Sequence, residues 1–171
     1  MRRGLLMRIL LTAIVTQVPS PVWAGGDICR AISMIGGRDY QVLVKSSQGR
    51  VTLVNFWATW CTPCVRELPT LARLREKFGN SGLNVILISA NEPEERPEVF
   101  SFLRKKGITF TTYMKKSTDD ATFMAAVDPA WSGALPVTFV YSAGGKRLKV
   151  ISGERTYEEW EGIVTPLLLK K

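Results

Sequence analysis

The chain has 171 residues and not one of them is a histidine. This absence excludes nucleophiles that depend on an imidazole base, such as a Ser-His-Asp triad or a Cys-His pair. It equally excludes imidazole ligands to haem, copper or zinc. Val65 stands where the haem-attachment pattern Cys-x-x-Cys-His requires its histidine, so that pattern is broken as well.

Cysteine is scarce too, with three residues at positions 29, 61 and 64. Three cysteines without a histidine argue against a structural zinc site, which takes four ligands of these types. We therefore predict no metal and no separate cofactor. Cys29 stands apart from the other two: it could pair between chains or with another protein, but we favour a tolerated, unpaired cysteine.

The N-terminus is typical of a targeting segment rather than of part of the fold. Three arginines precede an apolar run at residues 9–18, and Val22 and Ala24 provide the aliphatic and small residues of a cleavage site. These features predict a signal peptide at 1–24, a single domain at 25–171 and a periplasmic or secreted protein. The alternative is an uncleaved membrane anchor. A spanning helix needs about 20 apolar residues, and the run at 9–18 is too short for that.

Positive charge exceeds negative charge, with 23 basic and 15 acidic residues. Three of the basic residues and none of the acidic ones lie in residues 1–24, so the remainder has a net charge of +5. No basic stripe interleaved with aromatic residues is present, and we therefore predict that nucleic acid is not a partner.

The apolar pattern along the chain predicts an α/β domain of alternating strands and helices. A turn at Gly144-Gly145 predicts a hairpin late in the chain, and Thr156 with Glu159 predicts a capping box at the last helix. The predicted strands are 42–44, 51–58, 84–90, 109–113, 136–141 and 146–151, and the predicted helices are 64–78, 96–106, 119–126 and 157–168.

The most informative feature is a pair of cysteines placed between a strand and a helix. The apolar strand at 51–58 leads into Cys61 and Cys64, and the helical pattern starts at once. Thiols at this spacing can form a disulfide, and the unpaired N–H groups at a helix N-terminus favour a thiolate at the first of them. This arrangement suits thiol–disulfide exchange.

Residues 54–64, with the sequence Val-Asn-Phe-Trp-Ala-Thr-Trp-Cys-Thr-Pro-Cys, resemble the active-site segment of the thioredoxin superfamily. More narrowly, the chain resembles the TlpA/ResA-like disulfide oxidoreductases. Glu67, Pro69, the loop at 134–138 and the hairpin turn at 144–146 match that subgroup.

The resemblance covers residues 40–168 and leaves out 25–39. It implies a thioredoxin-like fold, in which helices flank a central mixed β-sheet. It also implies a central α/β insertion between the active-site helix and the strand after a cis-proline, within residues 91–118.

The resemblance assigns roles to several residues around the cysteines. Cys61 is expected to attack a disulfide and Cys64 to resolve the mixed disulfide, the alternative being two inert buried cysteines. Pro136 is expected to be cis and to lie against Cys61, which leaves the Leu135 backbone free to pair with a substrate segment. We expect Trp60 to contact substrate, whereas Trp131 is expected to serve in packing.

A proton relay is expected at Glu67. Classical thioredoxins have a buried aspartate at the position of Asn55, and an amide cannot carry a proton. Glu67 follows Cys64 by three residues, which places both on one side of the helix. Spacing alone leaves a plain surface glutamate as an equal alternative; the resemblance favours the relay, with a pKa raised by partial burial.

The resemblance implies a disulfide reductase that acts on exported proteins. Its partners would be disulfide-containing protein substrates and an upstream thiol electron donor in the membrane. The uncharged Thr62-Pro63 dipeptide favours the reductase over the first alternative, a protein-thiol oxidant. A thiol peroxidase on the same fold is a weaker alternative, because such enzymes use a single peroxidatic cysteine.

Overall fold

A computed structural model describes residues 32–116 and 120–169 of the protein. The predicted signal peptide at 1–24 and the cysteine at position 29 lie outside the described residues. Across the two described ranges, no helix has the length and apolar character needed to cross a membrane.

The described residues form a six-stranded sheet with helices on both faces. The strand order is β1-β4-β3-β2-β5-β6; β5 runs antiparallel to β2 and to β6, and the other neighbouring pairs are parallel. The strands are β1 Ile32–Ile35, β2 Val51–Trp57, β3 Leu83–Ser89, β4 Thr112–Lys115, β5 Val137–Tyr141 and β6 Arg147–Ser152. The helices are α1 Gly37–Ser46, α2 Thr62–Phe78, α3 Arg96–Lys105, α4 Asp120–Val127 and α5 Tyr157–Leu169.

Strand β2 lies in the middle of the sheet, and all seven of its residues are buried. Successive side chains of a strand point to opposite faces, so the two faces of β2 belong to two cores. Leu53 and Trp57 join the core under α2, α3 and α5, whereas Val54 and Phe56 join the core under α1 and α4. A strand buried on both faces needs the continuous apolar run that the sequence shows.

The predicted strand at 42–44 is wrong, because these residues lie within α1. The core under α1 and α4 includes Tyr40, Leu43 and Val44, whereas Val42 is exposed. That i, i+3, i+4 spacing is helical, and a three-residue apolar run could not show it. The actual first strand, β1, lies before residue 40, where the resemblance does not reach.

The other predicted elements are present, with small shifts of their ends. The largest shift concerns β4, which occupies Thr112–Lys115 rather than 109–113. The capping box of α5 is confirmed: the N–H of Thr156 donates to Glu159 at 2.7 Å, and the N–H of Glu159 donates to the Thr156 hydroxyl at 3.2 Å. Helix α3 and strand β4 lie within residues 91–118. That they form an insertion stays a prediction.

Candidate active site

The two cysteines and Pro136 lie at the same edge of the sheet. Phe56, one residue before the end of β2, pairs with Val137, the first residue of β5. Because these strands are antiparallel, the loop that leaves β2 towards Cys61 begins where the loop containing Pro136 ends. The peptide bond between Leu135 and Pro136 is cis, as the resemblance implies.

Cys61 and Cys64 form a disulfide, with their Cα atoms 5.2 Å apart. Cys61 is the N-cap of α2: its Sγ accepts from the N–H of Cys64 at 3.3 Å, and its carbonyl accepts from the N–H of Val65 at 3.0 Å. Negative charge on this sulfur after reduction would therefore lie beside unpaired N–H groups and the positive end of the helix dipole.

The two sulfur-bearing residues differ in accessibility. Cys61 keeps 7% of its surface exposed, whereas Cys64 keeps 1%. The neighbouring Trp60 is 65% exposed, an unusual state for a tryptophan. A substrate sulfur approaching from solvent can therefore reach Cys61 more readily than Cys64.

Glu67 is buried on α2 and accepts three hydrogen bonds. Its Oε1 accepts from the Trp160 indole N–H and from the Arg155 backbone N–H, both at 2.9 Å, and its Oε2 accepts from the Asn55 amide at 3.2 Å. Only 2% of its surface is exposed, which excludes a plain surface glutamate. Burial raises the pKa of Glu67 above its ordinary value, and the three donors partly oppose this effect.

Asn55 connects this carboxylate to the strand that follows the cis-proline. It is buried, as its position on β2 predicts, and its side-chain nitrogen donates both to Glu67 and to the Thr138 hydroxyl, the latter at 2.9 Å. Both hydrogens of the amide are used by these two contacts. Asn55 thus orients Glu67 and ties α2 to β5.

Asn91 is a site residue that the sequence reasoning missed. It is fully buried two residues after the end of β3, and it holds the active-site loop through Thr59. The Thr59 N–H donates to Asn91 Oδ1 at 3.0 Å, and Asn91 Nδ2 donates to the Thr59 hydroxyl at 2.7 Å. A polar residue shortly after a buried parallel strand was the available signal, because functional loops in such sheets follow the carboxyl ends of strands.

Trp131 packs against core aromatic rings, as expected, and remains partly exposed. Its ring centroid lies 4.6 Å from that of Phe56 and 6.0 Å from that of Phe139. Its indole N–H donates to the carbonyl of Ala134 at 3.1 Å, which braces the loop before the cis-proline. As for metals, no group of three or more Asp, Glu, Cys or His side chains within residues 32–116 and 120–169 could hold an ion.

Residues 26–146 match the AhpC/TSA family. The chain belongs to this family. It is similar to the thiol-disulfide oxidoreductase ResA of Bacillus anthracis, with 30% identity over 122 residues, or 71% of this chain and 66% of that protein. The chain thus spans just under two thirds of that relative's length. It is also similar to the ResA of Bacillus subtilis (strain 168), with 26% identity over 161 residues, or 91% of this chain and 85% of that protein.

Solved structures confirm the thioredoxin-like fold. A thiol:disulfide interchange protein of the thioredoxin family from Chlorobium tepidum TLS superposes with a TM-score of 0.62 at 28% identity, covering 72% of this chain and 83% of that one. A DsbF homologue from Corynebacterium diphtheriae superposes with a TM-score of 0.63 at 20% identity, covering 72% and 76% of the two chains. The second likeness concerns the fold alone.

Proposed function

We propose that this protein is a thiol–disulfide oxidoreductase, and more specifically a reductase of disulfides in exported proteins. The observation that carries the proposal is the disulfide closed across the first turn of α2, with Cys61 as the N-cap and the more accessible partner. The similarity to the two ResA proteins supports the oxidoreductase activity. The predicted signal peptide supports the exported location.

The reaction begins from the reduced pair. The Cys61 thiolate attacks one sulfur of a substrate disulfide, and the other substrate sulfur leaves as a thiolate that takes up a proton. Cys64 then loses its proton and attacks the Cys61 sulfur, which releases the second substrate thiol. Two electrons have passed to the substrate, and the Cys61–Cys64 disulfide remains. An upstream thiol donor, which we place in the membrane, returns the pair to the dithiol.

Glu67 is proposed to exchange the proton of Cys64. Cys64 is buried, so a base inside the protein is needed to remove its proton. Glu67 lies one helical turn further along α2 and is equally shielded from solvent. A carboxyl group whose pKa is raised by burial accepts a proton more readily than an ordinary glutamate, and it can then return that proton.

Substrate binding is proposed to involve the loop before β5. An extended substrate segment would pair with the Leu135 backbone beside cis-Pro136, which is a β-strand mode of peptide recognition. The exposed indole of Trp60 would then contact the substrate next to the reacting sulfur.

The reduction potential of the Cys61–Cys64 pair tests the direction of transfer. We expect a value nearer that of thioredoxin, about −270 mV, than that of DsbA, about −120 mV, because Thr62 and Pro63 add no positive charge. Equilibration with glutathione or dithiothreitol buffers measures it. A value near the DsbA end would support the protein-thiol oxidant instead.

A further inference from the structure

A pocket of about 200 Å³ opens beside the active-site loop, lined in part by Trp60, Trp131 and Leu135. We propose that this pocket, the Trp60 pocket, binds a lysine or arginine side chain of the substrate protein close to the disulfide that is reduced. The proposal rests on the proposed function and adds a preference among substrates to it.

The position of the Trp60 pocket places it along the path of a bound substrate. Trp60 immediately precedes Cys61, and Leu135 immediately precedes the cis-proline. A substrate segment that pairs with the Leu135 backbone while its sulfur meets Cys61 must therefore pass the mouth of the pocket. A side chain a few residues from the substrate cysteine can enter it.

Four aromatic side chains contribute to the walls of the Trp60 pocket. Phe56 and Phe123 line it together with the two tryptophans, and the centroids of the Phe56 and Phe123 rings lie 6.2 Å apart. Aromatic faces attract cations, and they also pack well against the methylene stems of lysine and arginine. The volume is enough for one such side chain.

The polar end of the pocket has excess negative charge. The buried ammonium of Lys115 lies 2.8 Å from Glu92 and 2.6 Å from Asp120, so one positive charge faces two carboxylates. Both carboxylate side chains are 57% exposed, so an incoming group can reach them. The net charge of −1 favours a cation over a neutral side chain and opposes an anion.

The test uses three disulfide-linked peptides that differ at one position near the cysteine. That position carries arginine in the first peptide, norleucine in the second and glutamate in the third. For the reduced protein at low ionic strength, we expect kcat/KM to be about three- to tenfold higher for arginine than for norleucine, and lowest for glutamate. Added salt should reduce the ratio of arginine to norleucine, because half-exposed charges are screened.

Two variants, Asp120→Asn and Glu92→Gln, each remove one negative charge from the pocket. In each variant Lys115 keeps the other carboxylate as its ion-pair partner. Each should lower the arginine-to-norleucine ratio, because the charges of Lys115 and the two acidic positions then sum to zero. Glu76→Gln is the matched control, because Glu76 is an exposed carboxylate at the far end of α2, and it should retain the ratio. Comparing two peptides within one variant cancels differences in the amount of folded protein.

The outcomes separate the two proposals. Equal kcat/KM for all three peptides, or a preference for norleucine or glutamate, would overturn the basic-side-chain pocket and leave the disulfide reductase intact. A ratio that survives in both pocket variants would overturn it as well. Failure of the reduced protein to act on any of the peptides would overturn the proposed function, and the pocket's role with it.

Discussion

The indole N–H of Trp160 on α5 donates to the Glu67 carboxylate on α2 across 2.9 Å. The same Glu67 oxygen accepts from the Arg155 backbone N–H, in the segment that leads into α5. Two of the three donors to this carboxylate thus come from the C-terminal part of the chain. The proton-carrying group proposed for the reaction is therefore held in place by the last helix of the fold.

Trp160→Phe should raise the pKa of Glu67 further. The substitution keeps an aromatic ring in the core but removes a hydrogen bond that stabilises the carboxylate, so the protonated form gains relative to the charged form. Titration of the Glu67 carboxyl carbon by NMR measures the effect. Trp60→Phe, at an exposed position, is the control and should leave that titration unchanged; an unshifted curve for Trp160→Phe would contradict the prediction.

Glu67→Gln should change both the titration of the thiols and the rate of exchange. A carboxylate near the thiols disfavours a second negative charge, so its removal should lower the pKa values of Cys61 and Cys64. Loss of the general acid–base group should slow exchange near neutral pH by about 10²-fold or more. Thiolate absorbance against pH and stopped-flow exchange with a small disulfide test the two parts.

The fold should accommodate this substitution. The side-chain oxygen of the glutamine can accept from Trp160 and Arg155. The Asn55 side-chain amide can flip, so that its oxygen accepts from the glutamine side-chain nitrogen. Glu76→Gln, on the exposed surface of the same helix, serves as the control. If Glu67→Gln and wild type gave superimposable titrations and equal rates, Glu67 would have no part in proton transfer.

Substitution of Cys61 and substitution of Cys64 should have different effects on disulfide reduction. Cys61→Ser should abolish reduction of insulin disulfides, because the attacking sulfur is gone. Cys64→Ser should instead accumulate mixed disulfides with substrates, because attack still occurs and resolution does not. Non-reducing gels and mass spectrometry detect the trapped species. Full activity in Cys61→Ser together with loss in Cys29→Ser would refute this mechanism.

Asn91→Ala should destabilise the protein and loosen the active-site loop. It removes the acceptor of the Thr59 N–H and of the buried Ser89 hydroxyl, and an unsatisfied buried group costs about 1–3 kcal/mol. Urea unfolding of the oxidised protein measures the loss. Asn80→Ala, at an exposed position near the opposite edge of the sheet, should change the free energy of unfolding by less than about 0.5 kcal/mol. Equal stability of the two variants would show that Asn91 does not hold the loop.

The sequence by itself determined the position of the reactive pair and most of the elements around it. A continuous apolar run predicts a strand that is buried on both faces. A cysteine pair at the start of a helical pattern predicts where the thiols lie. These inferences succeed because the signals are local: they depend on residues a few positions apart. The helix at α1 was missed for a related reason, since its apolar residues were too few to show a helical period.

Only the tertiary structure decided the surroundings of Glu67 and the shape of the Trp60 pocket. Trp160 lies 93 residues from Glu67 along the chain, and Asn91 lies 32 residues from Thr59. Likewise, Lys115 enters the pocket because β4 pairs with β3 and β1 in a register that no local pattern specifies. Contacts of this kind depend on how helices and strands pack against one another, and that packing arises only when the whole chain folds.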